Sequence, residues 1–329
     1  MTQASDTLRR VGAELRSLLF DVWGELNMTM SPSDRGAILS KWMKPSSESE
    51  QTRQDRAESM VREAIAANSK LNSSKPLIYT KGSYPNNTNV RLDSDVDVVV
   101  ELQECFYYGY RSGVTPSATA PAPYVGSWTP SDWRSEVKAA LVTAFGSDSI
   151  DSTSKIAIRV SEVSGSRPSA DVVPSFAYYL YNDTDRRTKE VGSCVFPSAS
   201  ADKIVNWPSQ QLINGRKLNT DSGGRYKDYV RILKNTENYL SSQGTIKVLP
   251  SYLMECLTYN VPATALSTGN LDAGFRATLV ELWRQLGLED TETKMVEPNW
   301  LKYLFTATKK WTLQDAKDLV QATWSYFEY

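Results

Sequence analysis

The chain has 329 residues, 40% of them hydrophobic, and its nine Trp, seventeen Tyr and eight Phe suffice to fill two cores of ordinary size. Its 37 basic residues against 38 acidic ones leave a net charge of −1, which argues against a protein whose main business is coating nucleic acid. Histidine is absent and the three cysteines, Cys105, Cys194 and Cys256, are dispersed. This excludes Ser-His-Asp and Cys-His catalysis, imidazole metal sites, Cys-x-x-Cys zinc sites and a disulfide framework. No apolar stretch approaches the ~20 residues of a membrane span, and the N-terminus lacks a basic-then-apolar signal pattern. The expectation is a soluble cytoplasmic protein with free thiols, and no membrane partner.

In chain order, Leu8, Val11, Leu15, Leu18 and Leu19 predict a helix over residues 7–28. A polar patch over residues 45–53 precedes a second helix over residues 57–69, with Met60, Val61, Ile65 and Ala66 on one side. A turn at Gly82-Ser83 leads to a strand over residues 95–100. Residues 109–130, rich in proline and small side chains, predict a surface loop. Thr129 as cap, Pro130 at the first position and Asp132 at the positive end predict the next helix, with apolar face Trp133, Val137, Leu141 and Phe145.

Alternating Ile156, Ile158 and Val160 predict a strand over residues 155–160, and residues 170–174 a further one. Asn182-Asp183-Thr184-Asp185 reads as the turn of a hairpin between segments near Tyr178 and Val191. From Ile204 onward the pattern turns helical, with segments over residues 227–241, 252–259, 275–288, 300–310 and 316–327. The picture is an α+β front half, residues 1–205, and an α-helical back half, residues 206–329, meeting at a cleft. The final residues, Ser325 to Tyr329, read either as the packed end of a helix or as a projecting tail.

The densest chemistry lies in one run. Gly82-Ser83 can hold a phosphate through backbone N–H groups and a hydroxyl. Further on, Asp95 and Asp97 point to the same face of a strand, while Val96, Val98 and Val100 point to the other. Two carboxylates side by side repel, and a divalent cation removes that cost. Few carboxylates plus substrate phosphate oxygens is the preference of Mg2+. The alternative is a solvated strand end, but the valine run following Asp97 implies a buried central strand. Asp93 shares the face of Asp95 and reads as structural.

A two-metal site needs a third carboxylate, and Asp171, at the head of Ala170-Asp171-Val172-Val173, is the best candidate. It is also the natural group to take a proton from an attacking hydroxyl. Lys227, Arg231 and Lys234 form one basic stripe on a helix, which reads either as a solvated face or as a triphosphate grip. Ser251-Tyr252 follows with a hydroxyl and a ring on which a base can stack.

These residues resemble a known family. Gly82-Ser83, Asn87-Thr88, Arg91, Ser94-Asp95-Val96-Asp97-Val98-Val99, Val230-Arg231-Ile232-Leu233-Lys234 and Ser251-Tyr252-Leu253-Met254-Glu255 are similar to the bacterial CD-NTases, the cGAS/DncV-like nucleotidyltransferases of the polymerase-β superfamily. The resemblance implies a bilobed α+β fold with a mixed β-sheet core and a helical C-terminal lobe closing the active site. It implies two Mg2+ ions, replaceable by Mn2+, on Asp95, Asp97 and Asp171. Gly82, Ser83, Lys234 and Ser251 would hold the donor triphosphate, with Tyr252 stacked on the donor base.

The implied activity is joining nucleoside triphosphates, as donor and acceptor, into a cyclic di- or trinucleotide with release of pyrophosphate. The product would be a second messenger for a separate effector in antiphage defence. The alternative keeps the chemistry and transfers the nucleotide to an RNA end or a protein. The zinc-binding thumb of the family's animal DNA sensor cannot be built without histidine, and with the near-neutral net charge no double-stranded DNA activator is expected; a monomer is expected as well.

Overall fold

The computed structural model describes residues 30–45, 47–90, 96–117, 126–164, 167–198 and 202–329. The helix expected over residues 7–28 lies outside them, as do Asp93 and Asp95. The chain divides into two compact units. A sheet unit comprises Ser46–Pro85 and Arg91–Ser209, and a helical unit comprises Asn86–Val90, Gln210–Tyr329 and the described residues before 46.

Chain order gives α1 (Pro32–Trp42), α2 (Glu48–Ala67), α3 (Ser69–Ser73), β1 (Leu77–Thr80), β2 (Val96–Tyr110) and α4 (Pro130–Phe145). Then come β3 (Ile150–Asp151), β4 (Ile158–Val160), β5 (Ala170–Tyr181), β6 (Lys189–Val195) and β7 (Ile204–Asn206). The strands form one sheet in the order β1-β2-β5-β4-β3, with β6 pairing β5 and β7. It is mixed: β2 and β5 are parallel and the other pairs antiparallel.

The sheet's centre follows from its valines. Val96, Val98, Val99, Val100, Val172 and Val173 are all buried, as a run of β-branched residues requires when both faces of a strand are covered. Helices α2 and α4 pack on the sheet, and Ala57, Val61 and Ile65 of α2 are buried with Trp133, Val137 and Leu141 of α4. Burying each of the larger side chains contributes about 1.5–3 kcal/mol. The Trp133 indole N–H donates to the Val100 carbonyl at 3.2 Å. At the head of α4 the expected cap forms: the Thr129 hydroxyl accepts from the Asp132 N–H at 3.1 Å, and Pro130 opens the helix. The hairpin forms too, with Tyr181 opposite Lys189 and the turn between them.

The helical unit holds α1 and then α5 (Pro208–Asp221), α6 (Arg225–Ser242), α7 (Ser251–Tyr259), α8 (Ala263–Leu266), α9 (Leu271–Leu286), α10 (Thr291–Lys294) and α11 (Leu313–Phe327). Helix α5 begins at the unit boundary. Its core gathers Tyr229, Val230 and Leu233 of α6, Leu253 and Leu257 of α7, Phe275 and Leu279 of α9, and Leu319, Trp324 and Phe327 of α11. Tyr329 packs rather than projecting. It is buried, and its hydroxyl donates to Asp272 at 2.7 Å. Among the described residues no helix is long and apolar enough to cross a membrane.

Four expectations about elements need correction. The helix expected over residues 57–69 is α2 and starts earlier, at Glu48, inside the polar patch expected to precede it, because that patch is polar yet rich in helix formers. The strand expected over residues 155–160 is only Ile158–Val160. The carbonyls of Ser154, Ile156 and Ala157 accept from the Arg134 guanidinium, so they are engaged by a side chain rather than a ladder. Ile204–Asn206 is a strand against β6, so the helical pattern begins at Pro208.

The helix expected over residues 300–310 does not form. The Asn299 side chain accepts from the Leu301 and Lys302 N–H groups, and Trp300 sits at φ +59°, which turns the chain instead. Its apolar residues still find the core, with Leu304 and Phe305 buried and the Trp311 indole N–H donating to the Leu304 carbonyl.

Candidate functional site

The parallel pairing of β2 and β5 places Asp97 directly beside Asp171. Residues side by side in adjacent strands share a face, so the two carboxylates stand together, with backbones about 4.8 Å apart. Their chain neighbours Val96, Val98, Ala170 and Val172 are at most 2% exposed, whereas both aspartates are half-buried. The carboxylates therefore occupy the one open side of an otherwise buried strand pair.

The Gly82-Ser83 turn lies against this pair. The Lys81 N–H donates to the Asp97 carbonyl at 3.1 Å, which ties the turn to the start of β2. Gly82 has φ +82°, and a Cβ built there would stand 3.0 Å from the Asp97 Oδ2 atom. Only glycine lets the backbone bend this way and come so near a carboxylate. Ser83 follows within the same turn and is half-buried. The structure thus brings together Gly82, Ser83, Asp97 and Asp171, while Asp95 lies outside the described residues.

Two in-register carboxylates on an open face are hard oxygen donors of the kind a magnesium ion takes, with positions left for water and phosphate. The donor set therefore fits the expected metal.

The remaining expected residues belong to the helical unit. Lys234 is buried in α6, and its ammonium donates to the Thr88 carbonyl at 3.0 Å and lies 3.3 Å from the Thr88 hydroxyl. That hydroxyl donates to Glu255 Oε2 at 3.2 Å, and Asn86 Nδ2 donates to Glu255 Oε1 at 3.1 Å. Burial pushes the Lys234 ammonium down and the Glu255 carboxyl up, and each opposes the shift of the other by its charge. Arg231, one helical turn earlier, donates to the carbonyls of Asn87 and Met43 and to Asp228 Oδ1 at 2.7 Å. Two members of the basic stripe, Arg231 and Lys234, thus hold Asn87 and Thr88, in the segment that continues from the Gly82-Ser83 turn. Lys227 is half-buried beside Arg231.

Ser251 is exposed as the first residue of α7. Tyr252 next to it accepts from Gln211 and donates to Glu297 at 3.3 Å. Its ring meets Trp311 edge-on at 6.4 Å. Burial raises its phenol well above the usual range, so it stays neutral and able to donate.

Four residues escaped the sequence reading. Thr88 and Glu255 stood in the quoted motifs without a role, and only the fold pairs them. Arg159 and Asp151 carried no local signal at all, yet register continues the carboxylate row through them: Asp171 is opposite Arg159, and Arg159 opposite Asp151.

A mixed sheet that carries paired aspartates beside a glycine-serine turn, followed by a helical C-terminal lobe, is the architecture of the polymerase-β-like nucleotidyltransferases. Residues 213–328 match the cGAS/DncV-like nucleotidyltransferase C-terminal helical domain. The cyclic dipyrimidine nucleotide synthase CdnE of Legionella pneumophila is 34% identical over 290 residues, covering 88% of this chain and 96% of the relative. A cyclic dipyrimidine nucleotide synthase CdnE from Cecembia lonarensis is 30% identical over 294 residues, covering 88% and 97%. Among solved structures, the Rhodothermus marinus CdnE c-UMP-AMP synthase with Apcpp and Upnpp superposes with a TM-score of 0.75 at 26% identity, covering 89% of this chain and 96% of that one. The chain belongs to the cGAS/DncV-like nucleotidyltransferases, the CD-NTases.

Proposed function

We propose that the protein is a cyclic oligonucleotide synthase. It joins nucleoside triphosphates by attack of a ribose hydroxyl on an α-phosphorus, with pyrophosphate leaving, and then closes the ring by a second attack of the same kind. The observation that carries this reading is the in-register pair Asp97 and Asp171 against the Gly82 turn, in a chain 34% identical to a cyclic dinucleotide synthase over nearly its whole length.

Asp97 and Asp171, with Asp95, are the residues that would hold two Mg2+ ions, with Mn2+ able to substitute. Bound there, the ions would supply the charge that offsets the triphosphate and the leaving pyrophosphate. Gly82 and Ser83 orient the donor triphosphate through backbone N–H groups and a hydroxyl. Asp171 takes the proton from the attacking hydroxyl, as a group within reach in a chain without histidine. In the helical unit, Ser251 contacts the donor phosphates and Tyr252 presents its ring to the donor base. Lys234 acts on the donor through the Asn86–Val90 segment that its ammonium anchors.

The product is read as a second messenger acting on a separate effector in antiphage defence, made in the cytoplasm by a monomer without a double-stranded DNA activator. The test is pyrophosphate release from mixed nucleoside triphosphates in Mg2+ by wild type and by Asp97→Asn. Release that depends on Asp97 supports the reading; equal release by the variant overturns the site.

A further inference from the structure

The segment between α10 and α11 holds a buried carboxylate. Glu297, in the run Val296-Glu297-Pro298-Asn299-Trp300, is 3% exposed. A carboxylate taken out of water needs its charge balanced and its oxygens filled. Lys309 donates to Oε1 and balances the charge. Oε2 accepts from Asn299 Nδ2 at 2.6 Å and from the Tyr252 hydroxyl at 3.3 Å. The backbone closes around it as a tight turn. The Glu297 N–H donates to the Lys302 carbonyl at 2.9 Å, and the Asn299 side-chain oxygen holds the Leu301 and Lys302 N–H groups. Trp300 sits within that turn at φ +59°, a conformation a bulky residue keeps only where its surroundings over-determine it.

What this turn holds outside itself is Tyr252 of α7. The phenol oxygen accepts from Gln211 of α5 and donates to Glu297, and the Cys256 thiol, one helical turn further on, lies against it as well. A phenol has one proton to donate and lone pairs with which to accept. Conjugation with the ring keeps that O–H bond near the ring plane. A donor on α5 and an acceptor on the turn therefore set both where the long axis of the ring points and how its plane is rotated. Trp311 backs the ring edge-on at 6.4 Å. Burial raises the phenol well above its usual range, so the hydroxyl stays protonated and keeps its bond to the carboxylate. The residue as a whole is only half-buried. The polar end is anchored while part of the side chain stays open.

We infer that Glu297 is a positioning residue for the donor base: it fixes the plane of the Tyr252 ring on which that base stacks. This rests on the cyclic-synthase reading above, in which Tyr252 presents its ring to the donor. Glu297 acts through the Tyr252 hydroxyl and touches no substrate itself. Losing a stacking ring outright weakens binding by roughly 5–150-fold. A ring that is kept but free to tilt forfeits part of that, because stacking needs two parallel planes and the ordering must then be done at the moment of binding. Gly82, Ser83 and Ser251 are assigned to the triphosphate, so the loss falls on the base and spares the phosphates.

The test compares a ligand that has a base with one that has none. Equilibrium titration in Mg2+ with the α,β-methylene analogues of the four nucleoside triphosphates reads base and phosphates together, and competition by inorganic tripolyphosphate reads the phosphates alone. The variant is Glu297→Met with Lys309→Met, which removes the carboxylate and the ammonium it would leave stranded. The expected result is roughly 3–10-fold weaker binding of the tightest analogue, a matching rise in apparent KM, and tripolyphosphate binding and kcat within about twofold of wild type. Tyr252→Phe, which keeps the ring and loses the hydroxyl, shows the same defect, and combining it with the Glu297 and Lys309 changes adds less than about twofold. Equal weakening of both ligands, an undiminished effect in the Tyr252→Phe background, or a Tyr252→Phe variant that binds like wild type would each overturn the inference. Asp97→Asn measured alongside separates the two levels: turnover that survives it sinks the synthase site itself, whereas the role of Glu297 is read from binding without turnover.

Discussion

Lys234→Met tests the clamp on the signature segment. Methionine keeps most of the length and apolar packing of the lysine stem and removes only the ammonium. Lys234 is 3% exposed, and its ammonium is linked through the Thr88 hydroxyl to Glu255, which is 4% exposed. Removing one partner of a buried charge pair leaves the other uncompensated and costs about 3–5 kcal/mol. For a unit of this size that lowers the melting transition by roughly 6–20 °C. Adding Glu255→Gln removes the stranded charge and recovers part of the loss, which a double-mutant cycle measures.

The effect also depends on pH. Burial raises the Glu255 carboxyl, and losing Lys234 raises it further. A group whose folded pKa lies above its unfolded value favours the fold at low pH and loses that contribution as pH rises through the folded value. The deficit of Lys234→Met therefore widens as pH rises above the ordinary carboxylate range. Calorimetric melts without nucleotide are the assay. A variant that melts with wild type, yet needs more nucleoside triphosphate to reach half-maximal rate, would refute the structural role and return Lys234 to direct phosphate binding.

Other variants probe the sheet unit. Asp171→Asn abolishes pyrophosphate release without lowering the melting temperature, because it relieves repulsion with Asp97 rather than breaking a core; a folded, active variant would remove Asp171 from the site. Gly82→Ala places a side chain at φ +82° and 3.0 Å from an Asp97 carboxylate oxygen. The backbone alone costs about 1–2 kcal/mol, so melting falls by a few degrees while the rate falls by about tenfold or more. The three cysteines are buried, with the Cys194 thiol pushed up to about 12 by burial and Cys256 raised well above the usual range. A thiol reagent at neutral pH should label none of them until denaturant is added, which a colorimetric titration checks.

What the sequence made legible was local. Alternation put Val96, Val98 and Val100 on one face and the aspartates on the other, and the Thr129-Pro130 cap fixed the start of α4. What it hid was non-local. That Asp171 stands beside Asp97 depends on a parallel pairing across more than seventy residues, and that Arg159 stands beside Asp171 depends on one further pairing.

Arg231 and Lys234 sit at the spacing of a solvated helix face, and nothing nearby in sequence reveals that Asn86–Val90 covers them. The helix expected over residues 300–310 failed for a related reason. Leu304 and Phe305 are apolar because they reach the core from a loop, so their spacing imitates a helical face while the Asn299 side chain sets a turn.

The most direct test of the central claim is the identity of the product. Purified protein incubated with all four nucleoside triphosphates and Mg2+, treated with phosphatase and read by mass spectrometry, should yield a phosphatase-resistant cyclic oligonucleotide with matching pyrophosphate, and Asp97→Asn should yield none. Label found only on an RNA end or a protein, or no turnover in either Mg2+ or Mn2+, would contradict it.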